Sequence, residues 1–368
     1  MTETKIMNKQ LILAVTVMFT AAGFAGLLAE SSDGAGFDVT DGTERIFHYE
    51  SPSEHIVLAG YAVALTVADL GLADKIVATD TYGGYEAYKN PKLEVIRDVP
   101  SIGSIFSSAN NTYIIAQLVQ WVEEGRMLLD DTIVFTAYAN STVLREALEK
   151  EGFTHILVWG SITEYGKIAD MVDSVSLALT GSTSTLAEEM RLVEKEVAEK
   201  TAGVEKKKAI FVEWSSVSGF KVGKTGSLAV SIIEAAGGKS LGENSASGGT
   251  YGDVNTIIQL LENNHDALVL LNNAYYTEYG IEKFRADVLG GDEDFNIMGM
   301  EQTWNNYCPE STDGLWAIAG ELYPELFGGV DRPKAGGNGS DNTLIYIALG
   351  AAAVVAIIAL AVYFTRKP

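Results

Sequence analysis

Short apolar runs alternate with amphipathic stretches along most of the chain, the pattern of α/β units built on parallel strands. The runs His55–Ala59, Lys75–Thr79, Thr132–Ala137, His155–Trp159, Ala209–Trp214 and Ala267–Leu271 predict strands, each ending at a polar or glycine-rich loop. Helical spacing of apolar residues predicts helices over Ala62–Leu70, Thr112–Glu124, Thr142–Glu151, Leu228–Ala236 and Val254–Asn263. Ligands of open α/β sheets bind outside the carboxyl ends of the strands, so the residues just after each strand carry the functional argument.

One predicted helix differs. Ser182–Gly203 has Ser and Thr for an N-cap, Gly203 for a C-cap, and a single apolar stripe of Leu186, Met190, Val193 and Val197. A helix of about 20 residues is roughly 30 Å long, enough to cross from one lobe to another. Strand–helix alternation precedes it and resumes after the basic patch Lys206–Lys208. The helix (182–203) reads as the connector between an N-terminal α/β lobe (44–181) and a C-terminal α/β lobe (207–330), the alternative being an ordinary surface helix within one domain.

The ends read differently. Residues 1–29 carry Lys5 and Lys9 and then an uncharged apolar run from Leu11 to Leu28, as expected of a signal peptide or an N-terminal anchor. Leu344–Phe364 is free of charge and long enough to span a bilayer, and Arg366 and Lys367 follow it. A transmembrane helix over 343–364 behind a flexible tether (331–342) is expected. That arrangement places the protein in the cell membrane as a single-pass chain, with the binding domain outside and the C-terminus cytoplasmic.

Composition narrows the chemistry. Of 368 residues, 26 are Lys or Arg and 49 are Asp or Glu, a formal net charge of −23. So acidic a chain lacks the basic footprint of a nucleic-acid partner. One cysteine, Cys308, and four scattered histidines exclude a disulfide framework and argue against a histidine- or cysteine-based metal centre. The segment GKTGS at Gly223–Ser227 has Ser218 where a phosphate-binding loop needs glycine. Ser215–Ser216 follows a strand without the nucleophile-elbow pattern. No catalytic residue is assigned, and the chain is not expected to be an enzyme.

Five segments in order carry a resemblance: IVLAGYAVALTVADLG (Ile56–Gly71) followed by LADKIVATDTY, PSIGS (Pro100–Ser104), GKTGSLAVSIIEAAGG (Gly223–Gly238), NNHDALVLL (Asn263–Leu271) and LWAIAGELYPELFGG (Leu315–Gly329). Over about residues 44–330 the chain resembles the ABC-importer substrate-binding proteins for ferric siderophores, haem and cobalamin. The resemblance implies two Rossmann-like lobes bridged by one long α-helix, a ligand held in the cleft between them, and an ABC permease as partner. His265 stands where the family has proline, and Tyr61 where a small residue or proline is usual. Leu65 and Ile258 stand where members commonly present a glutamate to the importer. Asp69 and Glu262, one helical turn later, are expected to take over permease docking.

A metal chelate or macrocycle needs flat contact area and a few orienting polar groups. The expected ligand-binding residues are therefore Tyr61, Tyr82, Tyr85, Trp159, Trp214, Tyr275 and Trp304, with Ser227 at the glycine loop. Arg97, Lys221 and Lys224 are the few cations near the predicted cleft, a scarcity that favours a corrinoid, haem or neutral hydroxamate chelate over a trianionic catecholate. No intrinsic cofactor or metal site is expected. The function read from the sequence is capture of an iron chelate (siderophore or haem) or corrinoid for an ABC importer. The alternative is a cell-surface sensory or adhesion module that reuses the fold without an importer.

Overall fold

Four strands, buried but for a half-exposed Val77, open the first lobe: β3 (Ile56–Ala59), β4 (Ile76–Thr79), β5 (Thr132–Thr136) and β6 (Ile156–Trp159), after a small two-stranded sheet of β1 (Phe37–Thr40) and β2 (Ile46–Tyr49). The computed structural model describes residues 36–81, 89–136, 140–160, 162–242, 254–291 and 295–335. The sequences IVLA, TIVFT and ILVW are apolar on both faces, as strands covered by helices on both sides must be. They pair in parallel in the order β4-β3-β5-β6, with Val57 opposite Ile133 and Ile133 opposite Ile156. The chain therefore reverses its direction of growth between β3 and β5, the crevice where such sheets take ligands. Helices α1 (Tyr61–Asp69), α2 (Asn111–Glu123) and α3 (Asn140–Lys150) belong to this lobe. Ile114, Leu118, Trp121, Leu144 and Leu148 close the core over Val57, Ile133 and Phe135.

The second lobe repeats the plan. Its sheet runs β11 (Ile297–Met300), β10 (Leu268–Asn272), β7 (Lys208–Ser215) and β8 (Gly219–Val222), and β9 (Lys239–Ser240) also pairs with β7. All pairings are parallel except the β7–β8 hairpin. Here the reversal falls between β7 and β10. Around the sheet lie α6 (Leu228–Ala235), α7 (Val254–Glu262), α8 (Asn273–Tyr279), α9 (Ile281–Val288), α10 (Ser311–Leu322) and α11 (Pro324–Phe327).

Two helices join the lobes, α4 (Gly166–Thr180) and α5 (Thr185–Thr201). Just before α4, Tyr165 N donates to Ser231 Oγ at 2.7 Å and its hydroxyl to Thr312 at 3.0 Å, both in the second lobe. At the other end, the Ala178 and Leu179 carbonyls accept from Ser53 N and Lys75 Nζ in the first. Gly181, left-handed at φ 72°, ends α4, and the chain turns back. Ser184 caps α5 through Leu186 N, and Arg191 of α5 pairs with Asp173 (2.5 Å) and Asp170 (3.0 Å) of α4. Met190, Val193 and Val197 form the buried stripe of α5, which packs on α4, α6 and α10. The expectation of one bridging helix thus becomes an antiparallel pair. Helix α4 buries Ile168, Met171, Val172, Val175 and Leu179, and its half-exposed stripe carries Asp170 and Asp173, which meet Arg191 of α5.

The expected placement as a single-pass membrane protein with a cytoplasmic C-terminus is corrected: among the described residues no helix is long and apolar enough to cross a membrane. The segments 1–29 and 343–364, read as signal or anchor and as transmembrane helix, lie outside the described residues. Of the tether, 331–335 is described, and there Arg332 pairs with Glu189 (2.7 Å) and Asp313 (3.3 Å).

Candidate functional site

The two sheets point their carboxyl ends at a common cleft. On the first-lobe side, β3 ends at Ala59 and the chain turns through Gly60 into α1. Gly60 has φ +132°, and a Cβ there would sit 1.8 Å from Thr136 Oγ1, so no side chain fits. The Thr136 hydroxyl donates to the Ala59 carbonyl at 2.8 Å, and Gly60 N–H donates to the buried Asp80 at 3.2 Å. This ties together the ends of β3, β4 and β5. Tyr61 follows, 6% exposed, its hydroxyl accepting from Asn90 at 3.0 Å. Opposite, the second lobe presents Gly223, Gly226 and Ser227, where the glycine turn enters α6. These groups, with Phe106 and Tyr307, line an open cavity of about 440 Å³ between the lobes. Ser227 Oγ is buried without a hydrogen-bond partner and does not cap its helix.

A second cavity of about 580 Å³ adjoins the first through Phe211, Asn305 and Asn306. It lies over the ends of β10 and β11, lined by Asn272, Asn273, Thr277, Glu278, Glu301 and Gln302, with Lys89 from the first-lobe sequence. Asn273 Nδ2 donates to Glu301 at 3.1 Å and to the Tyr276 hydroxyl at 3.2 Å, and that hydroxyl also donates to Glu301. Burial and then the Glu301 carboxylate push the Tyr276 phenol up to about 12, which keeps it a neutral donor. Together the cavities match the volume of a ligand pocket, with a mostly polar lining.

Of the residues expected from the sequence, Tyr61 and Ser227 line the cleft. Tyr82 and Tyr85 lie outside the described residues. Among the described residues, the others lie off both cavities. Trp159 is 4% exposed at the end of β6, beside a smaller hollow with Gly42 and Lys167. Tyr275 is 4% exposed in the second-lobe core and packs on Phe220 (4.9 Å) and on the edge of Trp214 (5.4 Å). Trp304 rests on α10, where a Cβ at Gly314 would come within 2.6 Å of it. The sequence reading missed the amides. Asn272–Asn273 and Asn305–Asn306 follow strand and loop signals next to Tyr275 and Trp304, and the doubled asparagine at each place was the available sign.

The two acids expected to dock a permease, Asp69 and Glu262, differ in surroundings. Glu262 is exposed at the end of α7. Asp69 faces the second lobe: Lys92 donates to it at 2.6 Å and also to Glu310, which precedes α10. Cys308 nearby is fully buried, its Sγ on the Thr303 carbonyl at 3.3 Å, and burial raises its pKa far above the ordinary thiol value. Among the described residues no group of three His, Cys, Asp or Glu side chains is placed to hold a metal.

Two α/β lobes, each on a mainly parallel sheet, thus face a shared crevice. No family model matches the sequence, and no curated protein matches it. Solved structures do. CeuE of Helicobacter pylori, determined as a nickel–histidine complex, superposes with a TM-score of 0.56 at 18% identity over 80% of this chain and 91% of its own. The periplasmic haem-binding protein RhuT of Roseiflexus gives 0.55 at 14% identity, over 74% and 99% of the chains. The periplasmic vitamin B12-binding protein BtuF of Vibrio cholerae gives 0.55 at 14%, over 74% and 98%. At these identities the likeness establishes the fold, which is that of the siderophore-, haem- and cobalamin-binding proteins. The resemblance read from five sequence segments holds at that level.

Proposed function

We propose that this chain is the solute-binding component of an ABC importer and captures a metal chelate or corrinoid between its lobes. The observation that carries this reading is the cleft itself. Its walls are built from the carboxyl ends of both sheets, with the starts of α1 and α6 facing one another across it. Two of the solved structures of the same fold are described as binding proteins, one for haem and one for vitamin B12, and among the described residues lining the cleft none pairs a nucleophile with a base. The mechanism is capture by closure of the two lobes about the α4–α5 pair, with the bound state favoured by contacts made to both walls.

The test is a thermal-shift panel on the full-length chain with cobalamin, cobinamide, haem, ferric hydroxamates and ferric citrate. A ligand at a hundred times its dissociation constant adds about 2.7 kcal/mol, a clear rise in melting temperature. A folded chain that responds to none of them refutes the reading. A receptor that captures its ligand without an importer is the second reading, favoured by the engagement of Asp69 with Lys92 rather than with solvent.

A further inference from the structure

Among the described residues, charge lining the cleft is sparse and includes no desolvated cation. In the larger cavity the acids Glu278 and Glu301 stand with one ammonium, Lys89, which is exposed. In the smaller cavity the charged lining residue is Glu213, paired at 2.9 Å with Lys221. Lys224, in the turn between Gly223 and Gly226, is exposed, and Arg97 is paired with Glu94 at 3.2 Å. The internal segments outside the described residues (82–88, 137–139, 161, 243–253 and 292–294) contain no Lys, Arg or His, and they carry Glu86, Glu243, Asp253, Asp292, Glu293 and Asp294. Wherever those segments lie, they bring no positive charge to the site. The remaining polar lining is amide and hydroxyl and includes Asn272, Asn273, Gln302, Asn305, Asn306 and Ser227, with Asn272 Oδ1 accepting from Ala274 N at 3.0 Å and Asn306 Nδ2 donating to the Gln302 carbonyl at 2.7 Å.

Resting on the proposed capture role, we infer that the cleft selects an uncharged or cationic metal complex with an amide-bearing periphery, and rejects polyanionic chelates. Primary amides offer both donors and acceptors, so paired asparagines match the amide rim of a corrinoid or the hydroxamate and peptide groups of a trihydroxamate chelate. A carboxylate- or catecholate-bearing ligand must exchange water for cations held in the pocket, and the described walls hold none that is both buried and unpaired. The net charge of −23 adds a repulsive field that slows the approach of any anion.

The experiment is calorimetric titration of the full-length chain at low and physiological salt with five probes. These are cyanocobalamin, neutral ferrichrome, cationic ferrioxamine B, a trianionic ferric tricatecholate, and haem with its two propionates. At least one of the first three is expected to bind 100-fold more tightly than either anionic probe, with the gap narrowing as salt rises. In addition, Glu278→Lys together with Glu301→Lys should improve tricatecholate binding at least tenfold relative to the best neutral probe. Preferential binding of haem or the tricatecholate overturns the charge selection and leaves the capture role standing. An unchanged anion-to-neutral ratio in the double variant overturns it as well. Failure of all five probes to bind removes the capture role itself.

Discussion

The ammonium of Lys92, in the first lobe, is shared between Asp69 of its own lobe and Glu310 of the second. The side chains of Asp69 and Glu310 are only 14% and 16% exposed, whereas that of Lys92 is 48% exposed. One cation therefore holds two half-buried carboxylates that would otherwise face each other across the lobe boundary. Lys92→Met should destabilise the fold by about 1–2 kcal/mol at neutral pH, a figure discounted for the exposure of the lysine. Denaturant unfolding at pH 7.5 checks this, and a loss within 0.3 kcal/mol of zero would show that solvent screens the cluster.

Asp69 also sets a pH dependence. Burial, opposed by the Lys92 hydrogen bond and reinforced by the charge of Glu310, lifts its carboxyl from 3.8 to about 6. A folded pKa above the unfolded value means that the folded chain holds this proton more tightly. The contribution is fully present below about pH 4 and is lost as pH rises through 6. Burial pushes Glu310 up as well, but the Lys92 hydrogen bond and charge together lower it overall, so its contribution lies in a more acidic window and is lost only as pH falls through its lowered value. Between pH 4.5 and 7, then, Asp69→Asn should flatten the stability profile, with wild type gaining on the variant as pH falls. Parallel profiles of melting temperature against pH would exclude the assignment.

At the edge of the first lobe, Asp41 is the most heavily engaged carboxylate described. Its Oδ1 accepts from Thr43 N, Thr43 Oγ1 and Arg45 N at 2.7–3.1 Å, and its Oδ2 from Arg145 at 2.7 Å and Val158 N at 2.9 Å. The pair with Arg145 is buried, at 0% and 9% side-chain exposure, and fastens the β1–β2 turn to α3 and β6. Arg145→Met leaves a buried carboxylate without its counter-ion and should cost about 3–5 kcal/mol. Urea unfolding would read this as a lower midpoint at an unchanged slope.

Six strands and six helices stand within a few residues of where apolar periodicity puts them, because each buries one continuous run or one stripe. What escaped the pattern has local reasons. The strand β11 reads IMGM, with a glycine inside it and only one fully buried position. The hairpin strand β8 is four residues long, and the apolar face of α4 is interrupted by the buried hydroxyls Ser174 and Ser176. The site was less legible than the fold. Tyr275 and Trp214 stand at strand ends, as expected, but each turns toward the other and toward Phe220, since a large ring beside a core recovers more apolar burial there than in a wet cleft. The smaller amides beside them are left to face the cavity. Trp214→Ala should therefore lower the stability of the second lobe by about 2–4 kcal/mol while changing ligand affinity less than threefold, as melting and titration would show together.

Ser227 separates a structural from a binding role. It stands at the N-cap of α6, where Ser ordinarily accepts from a helix N–H, and replacement of such a cap by Ala costs about 1 kcal/mol. Here its hydroxyl makes no cap bond and has no partner, although it is buried against the cleft. An unsatisfied buried hydroxyl is a cost to the free protein and a ready contact for a ligand. Ser227→Ala should thus leave the melting temperature of the ligand-free chain unchanged or slightly raised, and weaken ligand binding about five- to tenfold, the worth of one hydrogen bond. Differential scanning calorimetry and titration on the same preparation supply both readings. A destabilised free protein with undiminished affinity would mean that the hydroxyl caps the helix in solution, and the ligand would then meet only the backbone of that turn.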